Sequence, residues 1–161
     1  MDGQPMNDVR PVKVLADSIA VPAILALLQR SYAYMEARID PPSSMHRLSI
    51  ERIREQCASG EVWTIGEPPC ACMFLTEKPG RLNIGKVAVD ADMRGRGYAK
   101  RLAELAAVRA KEKGLPTLEL ETRIELHEIH EIYRRLGFVQ IGEGTHAGFN
   151  RPTFVVMQKA V

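Results

Sequence analysis

Between residues 82 and 141 the apolar rhythm changes from strand to helix and back twice. Leu82–Val89 alternates as a strand, and Gly97–Lys113 then carries Leu102, Leu105, Ala106 and Ala110 on one helical side. Leu118–Thr122 returns to a strand. Glu125–Leu136 aligns Leu126, Ile129, Ile132, Tyr133 and Leu136 on one stripe, and Phe138–Ile141 closes the series. Gly114 and Pro116 follow the first helix and Gly137 ends the second, as helix C-termini favour. Two strands joined by a crossover helix run parallel, so any fold of this chain must contain a parallel pair.

The first half adds antiparallel strands. Glu61–Ile65 and Cys70–Thr76 flank Gly66-Glu67-Pro68-Pro69, a hairpin signal. Pro11–Ala16 alternates as a first strand. Asp17 or Ser18 then caps a helix through Ile19, Ile24, Leu27 and Leu28, which continues toward Tyr32, Tyr34 and Met35 and stops before Pro41-Pro42. Ser49 caps a short helix with Ile50, Ile53 and Arg54 that closes near Gly60, and Pro152–Met157 is a last strand after the loop Gly142–Arg151. With 161 residues there is room for one ordinary core. Residues 1–9, polar with Gly3 and Pro5, read as a flexible tail, and residues 10–161 as a single domain. The expected class is α/β: an α+β mixed sheet flanked by helices.

Composition narrows the function. Lysine and arginine exceed the acids by only 22 to 20, so no general attraction to nucleic acid is expected. Runs such as Val21–Leu28 fall far short of the ~20 residues that cross a bilayer, so no membrane partner is expected either. The start MDGQPMNDVR lacks a basic segment followed by an apolar one, and reads as no secretory leader. Three cysteines are too few and odd in number for a disulfide framework, which points to a reducing cytoplasm. Cys70 and Cys72 alternate as packing residues on one strand face.

Chemistry concentrates in Arg94-Gly95-Arg96-Gly97-Tyr98-Ala99-Lys100-Arg101, between a strand and a long helix. Glycines let a backbone approach a ligand, and a helix N-terminus supplies unpaired N–H donors with a partial positive charge. Four basic residues and no acid add attraction for a diphosphate; a solvated basic turn would have the same composition. Three better-known motifs are nearly matched and fail. Gly95-x-Gly97 lacks the third small residue of a dinucleotide fingerprint, because position 100 is lysine. Gly80–Lys86 outlines a nucleotide P-loop, but Val87 stands where a hydroxyl is required and the segment runs into a strand. His127 and His130 are one residue short of the zinc-protease spacing and lack a third ligand, so no metal is expected.

Arg94-x-x-Gly97-x-Ala99 resembles the R/Q-x-x-G-x-G/A signature of the GNAT superfamily, the acyl-CoA-dependent N-acyltransferases. The Val87-Ala88-Val89 strand before it and Tyr133-x-x-x-Gly137-Phe138 after it match in order, so the resemblance is firm over about 82–141. It implies a mostly antiparallel sheet whose parallel pair splays at the cofactor site. It implies acetyl-CoA as acyl donor, with the backbone of Val87 and Val89 pairing with the pantetheine amides. An N–H near Val87 or Ala88 would polarise the thioester carbonyl. Backbone N–H groups of Gly95, Arg96, Gly97, Tyr98 and Ala99 would cradle the diphosphate, assisted by Arg94, Arg96 and Lys100. Tyr133 resembles the family's general acid. Relatives often carry an asparagine seven residues earlier, where this chain has Leu126; His127 or His130 is the expected substitute. Paired subunits are common among relatives, so a homodimer is compatible.

Residues 81–89 contain no acid to serve as base. The alternation Leu118-Glu119-Leu120-Glu121 requires one strand face to open on water or a cleft, and Glu121, nearer the strand's end, is the candidate base. The resemblance places the acceptor amine among variable parts: Tyr32 and Tyr34, Arg38 to Ser44, and the loop with His146. The expected activity is N-acetyl transfer from acetyl-CoA to a primary amine of a small molecule or peptide. The alternatives are a catalytically silent CoA-binding module of the same fold, or a nucleotide-binding regulator.

Overall fold

A computed structural model describes residues 10–33 and 35–161. The tail 1–9 and Tyr34 therefore lie outside the described residues. Seven strands follow in chain order: β1 (Val12–Lys13), β2 (Glu61–Ile65), β3 (Ala71–Lys78), β4 (Arg81–Val89), β5 (Thr117–Arg123), β6 (Val139–Gly144) and β7 (Phe154–Ala160). Four helices join them: α1 (Val21–Ala33), α2 (Ile50–Ser59), α3 (Tyr98–Glu112) and α4 (His127–Arg135). The sheet order is β1-β2-β3-β4-β5-β7-β6, and every neighbouring pair is antiparallel except β4 with β5. The mixed sheet expected from the crossover is present.

Each sheet face carries its own core. Helices α1 and α2 bury Val21, Ile24, Leu27, Leu28 and Ile53 against Val62, Cys72, Phe74 and Ala88. Helix α3 buries Tyr98, Leu102, Ala106 and Ala110 on the other face, against Met73, Leu82, Ile84, Leu118, Leu120 and Met157, with Tyr133 of α4 and Leu136 just after it at the margin. Fully burying one such aliphatic side chain is worth about 1.5–3 kcal/mol. Ser49 caps α2 as its type predicts, accepting from the Arg52 N–H. On the α1/α2 side these helices cover β2 to β4.

Several boundaries move. The first strand shrinks to Val12–Lys13, because only Val12↔Thr64 and Lys13↔Trp63 pair at this sheet edge. Helix α1 begins at Val21, after the Ser18 hydroxyl has accepted from the Ala20 N–H, and leaves Ile19 in solvent. Cys70 and Cys72 pack into opposite cores rather than on one face. Cys70 precedes the strand, donating its thiol to the Ile65 carbonyl in the turn, so strand alternation does not reach it. Ile132, assigned to the apolar stripe of α4, is exposed.

Candidate functional site

Strands β4 and β5 pair only over Leu82↔Leu118, Asn83↔Glu119 and Ile84↔Leu120. Beyond that point β4 continues to Val89 and β5 to Arg123 without pairing, so a wedge opens between them. The cause lies in β4. Opposite β3, Cys72 faces Ala88 while Phe74 faces Gly85, which inserts one extra residue into β4 and bends it. Lys86 takes up the bulge at φ 49°, in the left-handed region that a non-glycine residue rarely adopts.

The bulge decides which amides face the wedge. The Asp90 N–H donates to the Cys70 carbonyl at 2.8 Å, and antiparallel alternation then commits Ala88 to β3 as well. The backbone groups of Val87 and Val89 therefore turn toward the side that β5 has left. Ala88, expected alongside Val87 as a carbonyl-polarising donor, is spent inside the sheet. The Val87 carbonyl accepts from the Tyr32 hydroxyl at 3.2 Å and the Val89 carbonyl from Arg94 Nε at 3.2 Å. Each retains a second lone pair, and Val87 N–H faces the wedge as a donor.

At the foot of the wedge the chain turns into α3. Gly95 (φ 79°) and Gly97 (φ 82°) both adopt the left-handed conformation, and nothing lies within 4 Å of a Cβ built on either. The glycines are thus required by dihedral angle, in a turn with open space beside it. Backbone bonding of this helix begins with Arg101 N–H to the Gly97 carbonyl at 3.0 Å. The N–H groups of Gly97, Tyr98, Ala99 and Lys100 find no backbone carbonyl among the described residues. Arg94, Arg96 and Lys100 are exposed around them. A donor set of this kind, at a helix N-terminus with cations beside it, suits a diphosphate. The Tyr98 side chain is 3% exposed and belongs to the core, its hydroxyl without a partner among the described residues, so only its backbone can serve a ligand.

Tyr133, near the end of α4, sits half-buried with its ring edge-on to Phe138 at 5.5 Å. Burial pushes its phenol up to about 12, so it carries its proton throughout the neutral range. Leu126 is buried with Met35 and Ile39 between the α1 exit and the start of α4, in a cluster that Tyr32 also packs against. His130 is no substitute ligand for the wedge: it is buried, and Nε2 contacts the Arg123 carbonyl at 2.8 Å. His127 is exposed. Among the described residues no cluster of metal-ligating side chains forms.

One face of β5 carries both glutamates singled out by the alternation, and their surroundings separate them: Glu119 is buried and Glu121 exposed. Glu119 accepts from Arg81 Nε and from Gln158 Nε2, each at 2.8 Å. Burial opposes its charge, but those bonds prevail and hold its pKa below the usual range. Glu121, one step nearer the wedge, is exposed. Across from it His146 is fixed by Thr153, whose hydroxyl contacts both its backbone N–H at 2.8 Å and its Nδ1, and by an edge-on contact with Phe154 at 5.2 Å. Burial and the Arg123 charge keep the imidazole pKa below its ordinary value despite the opposing fields of Glu121 and Glu125. Tyr32 reaches the same mouth through Val87. Arg38 turns instead to Glu128 of α4 in a two-pronged pair that holds the glutamate at about 2. It ties the loop after α1 to α4.

Two residues of the mouth escaped sequence reasoning: Lys86 at the bulge and Arg123 at the end of β5. Lys86 donates to Ser44 Oγ, and Arg123 to the carbonyls of Pro41 and Pro42. A lysine inside an apolar strand, directly after a glycine, was the available signal.

A family model described as the acetyltransferase (GNAT) family matches residues 23–138. An uncharacterized N-acetyltransferase of Methanocaldococcus jannaschii is 36% identical over 76 residues, 46% of this chain and 34% of that protein. The chain thus spans about a third of the length of that curated relative. Solved structures share the fold at low identity. A GNAT family acetyltransferase from Staphylococcus aureus matches 93% of this chain and 98% of its own at TM-score 0.72 and 15% identity. One from Elizabethkingia anophelis with acetyl-CoA bound covers 96% and 99% at TM-score 0.69 and 16% identity. An acetyltransferase of Bacillus subtilis in complex with CoA covers 95% and 99% at TM-score 0.67 and 18% identity.

Proposed function

This chain belongs to the acetyltransferase (GNAT) family, and on that premise we propose that it moves an acetyl group from acetyl-CoA to a primary amine held in the same complex. What supports the reading is the junction of a strand wedge with a helix N-terminus whose first amides meet no backbone carbonyl among the described residues. The donor would lie along Val87 and Val89 as an added strand, its diphosphate at Gly95 to Lys100. Bound there, it supplies an activated acetyl thioester. Two structures of similar fold, one with acetyl-CoA bound and one in complex with CoA, support the same reading.

In this reading Val87 N–H donates to the carbonyl oxygen as negative charge develops there. Glu121, exposed on β5, removes the amine proton directly or through water. Tyr133 faces the departing sulfur. A phenol at about 12 is a weaker acid than a thiol of ordinary pKa ~8.5. Tyr133 therefore stabilises the leaving thiolate by hydrogen bonding, and solvent completes the proton transfer. Alignment of amine and thioester supplies much of the remaining rate. The cytoplasm, with its reducing conditions, suits three free cysteines.

A thiol-release assay with acetyl-CoA over a panel of primary amines tests the proposal. Turnover with at least one amine, abolished by omitting the amine, is expected. Tight acetyl-CoA binding without turnover across the panel would instead assign a CoA-sensing module.

A further inference from the structure

We propose that the acceptor amine also carries a carboxylate, which Lys86 and Arg123 recognise; this rests on the acetyl-transfer reading above. The two cations stand on either lip of the wedge, Lys86 at the bulge of β4 and Arg123 as the last residue of β5. Both are partly buried, yet neither has a carboxylate within ion-pair distance among the described residues. Their donors end on neutral oxygens: Ser44 Oγ for Lys86, the Pro41 and Pro42 carbonyls for Arg123. Elsewhere comparable cations are neutralised, Arg81 of β4 by Glu119 and Arg109 of α3 by Glu61.

Burial is costly for a charge that is not paired, and here two like charges press on one another. The lysine pKa is lowered by burial and then by Arg123 and Arg47, so Lys86 itself feels more cation than acid. Glu125, Asp40 and Glu36 set their fields against the Arg123 charge without contacting it: Asp40 is paired with Arg151, Glu36 contacts His46, and Glu125 accepts from the Asp40 N–H at 3.3 Å. An incoming carboxylate would supply the missing counter-charge. Glu121 lies two residues before Arg123 on the same face of β5, about 6–7 Å along the strand. Cation and carboxylate at that separation match the two ends of a small zwitterion such as a free amino acid, whose ammonium Glu121 must deprotonate.

The test compares L-amino acids with their decarboxylated amines, phenylalanine with phenethylamine and leucine with isoamylamine, by kcat/KM in the thiol-release assay. The amino acid of each pair is expected to be preferred about tenfold or more, the effect of hydrogen bonds to a charged group. Lys86→Met and Arg123→Met should each pull that ratio toward one. Equal rates for the two members of each pair in the native protein would overturn the proposal. So would variants that lose both activities in proportion with the ratio intact, because the two cations would then only anchor the loop 40–48. A faster rate with O-phosphoethanolamine than with any amino acid would overturn the carboxylate in favour of phosphate. If no amine is acetylated, calorimetric titration of phenylalanine and phenethylamine into the CoA-loaded protein still decides. Selective binding of the amino acid upholds carboxylate recognition while the acetyl-transfer reading falls; binding of neither overturns both.

Discussion

Replacing Tyr133 by phenylalanine removes one hydroxyl and keeps the ring that packs edge-on to Phe138. No hydrogen bond to that hydroxyl is made within the described residues, so the fold should lose little, and the melting temperature should stay within a few degrees. The effect belongs to the leaving thiolate. A hydrogen bond to a charged group contributes about 1.5–3 kcal/mol. Lost only in the transition state, that lowers the acetyl-transfer rate roughly 10- to 150-fold. Affinity for acetyl-CoA should barely change. Because burial pushes the phenol up to about 12, the native rate should also show no falling limb near pH 10, where an ordinary tyrosine would ionise. Single-turnover rates with saturating acetyl-CoA, measured from pH 7 to 10.5 for both proteins, check each point. An unchanged rate constant in Tyr133→Phe would refute the argument and leave this residue as packing alone.

Glu121→Gln should lower kcat by roughly 100-fold or more at neutral pH, the lower end of what one general base contributes. The deficit should shrink at higher pH, where more of the acceptor amine arrives already neutral; a deficit constant with pH would remove the base role. Leu126→Asn, which restores the residue common among relatives, should leave acetyl-CoA affinity unchanged, because the side chain is buried against Met35 and Ile39. Calorimetry showing tighter binding would refute that placement. Glu61 is paired with Arg109 and, at 3.2 Å, with Lys113, and the Arg109 bonds depress its pKa to about 2. A depressed carboxylate adds stability above its unfolded pKa that is lost as pH falls. Native stability should therefore decline between about pH 4.5 and 2. Glu61→Gln should cost up to about 3 kcal/mol at pH 7 and flatten that decline, as thermal melts would show.

Elements set by local patterns were legible in the sequence: the crossover unit, the Ser49 cap and the Glu61 hairpin all follow from spacing and turn chemistry. The glycine turn before α3 was legible for the same reason, since both left-handed positions demand glycine. What stayed hidden depends on register between distant strands. The bulge at Lys86 decides that Val87 rather than Ala88 faces the wedge, and no window of sequence shows which β3 residue sits opposite. Nor could composition show that Leu126 turns toward Met35 and Ile39, that His130 is committed to the Arg123 carbonyl, or that Arg38 is spent on Glu128. Those assignments are made by packing between the α1 exit and α4, segments far apart in the chain.

The central claim is that the amides after Arg96 bind the diphosphate of the acyl donor, and calorimetric titration of acetyl-CoA into the native protein and Gly97→Glu tests it most directly. A glutamate there meets no steric obstacle, since a Cβ finds nothing within 4 Å, and its left-handed φ costs about 1–2 kcal/mol of stability. The native protein should bind one equivalent. The variant, folded by circular dichroism, should lose at least tenfold in affinity through the misplaced negative charge and the distorted turn. Equal affinity in the two proteins, or none in the native one, would contradict the claim.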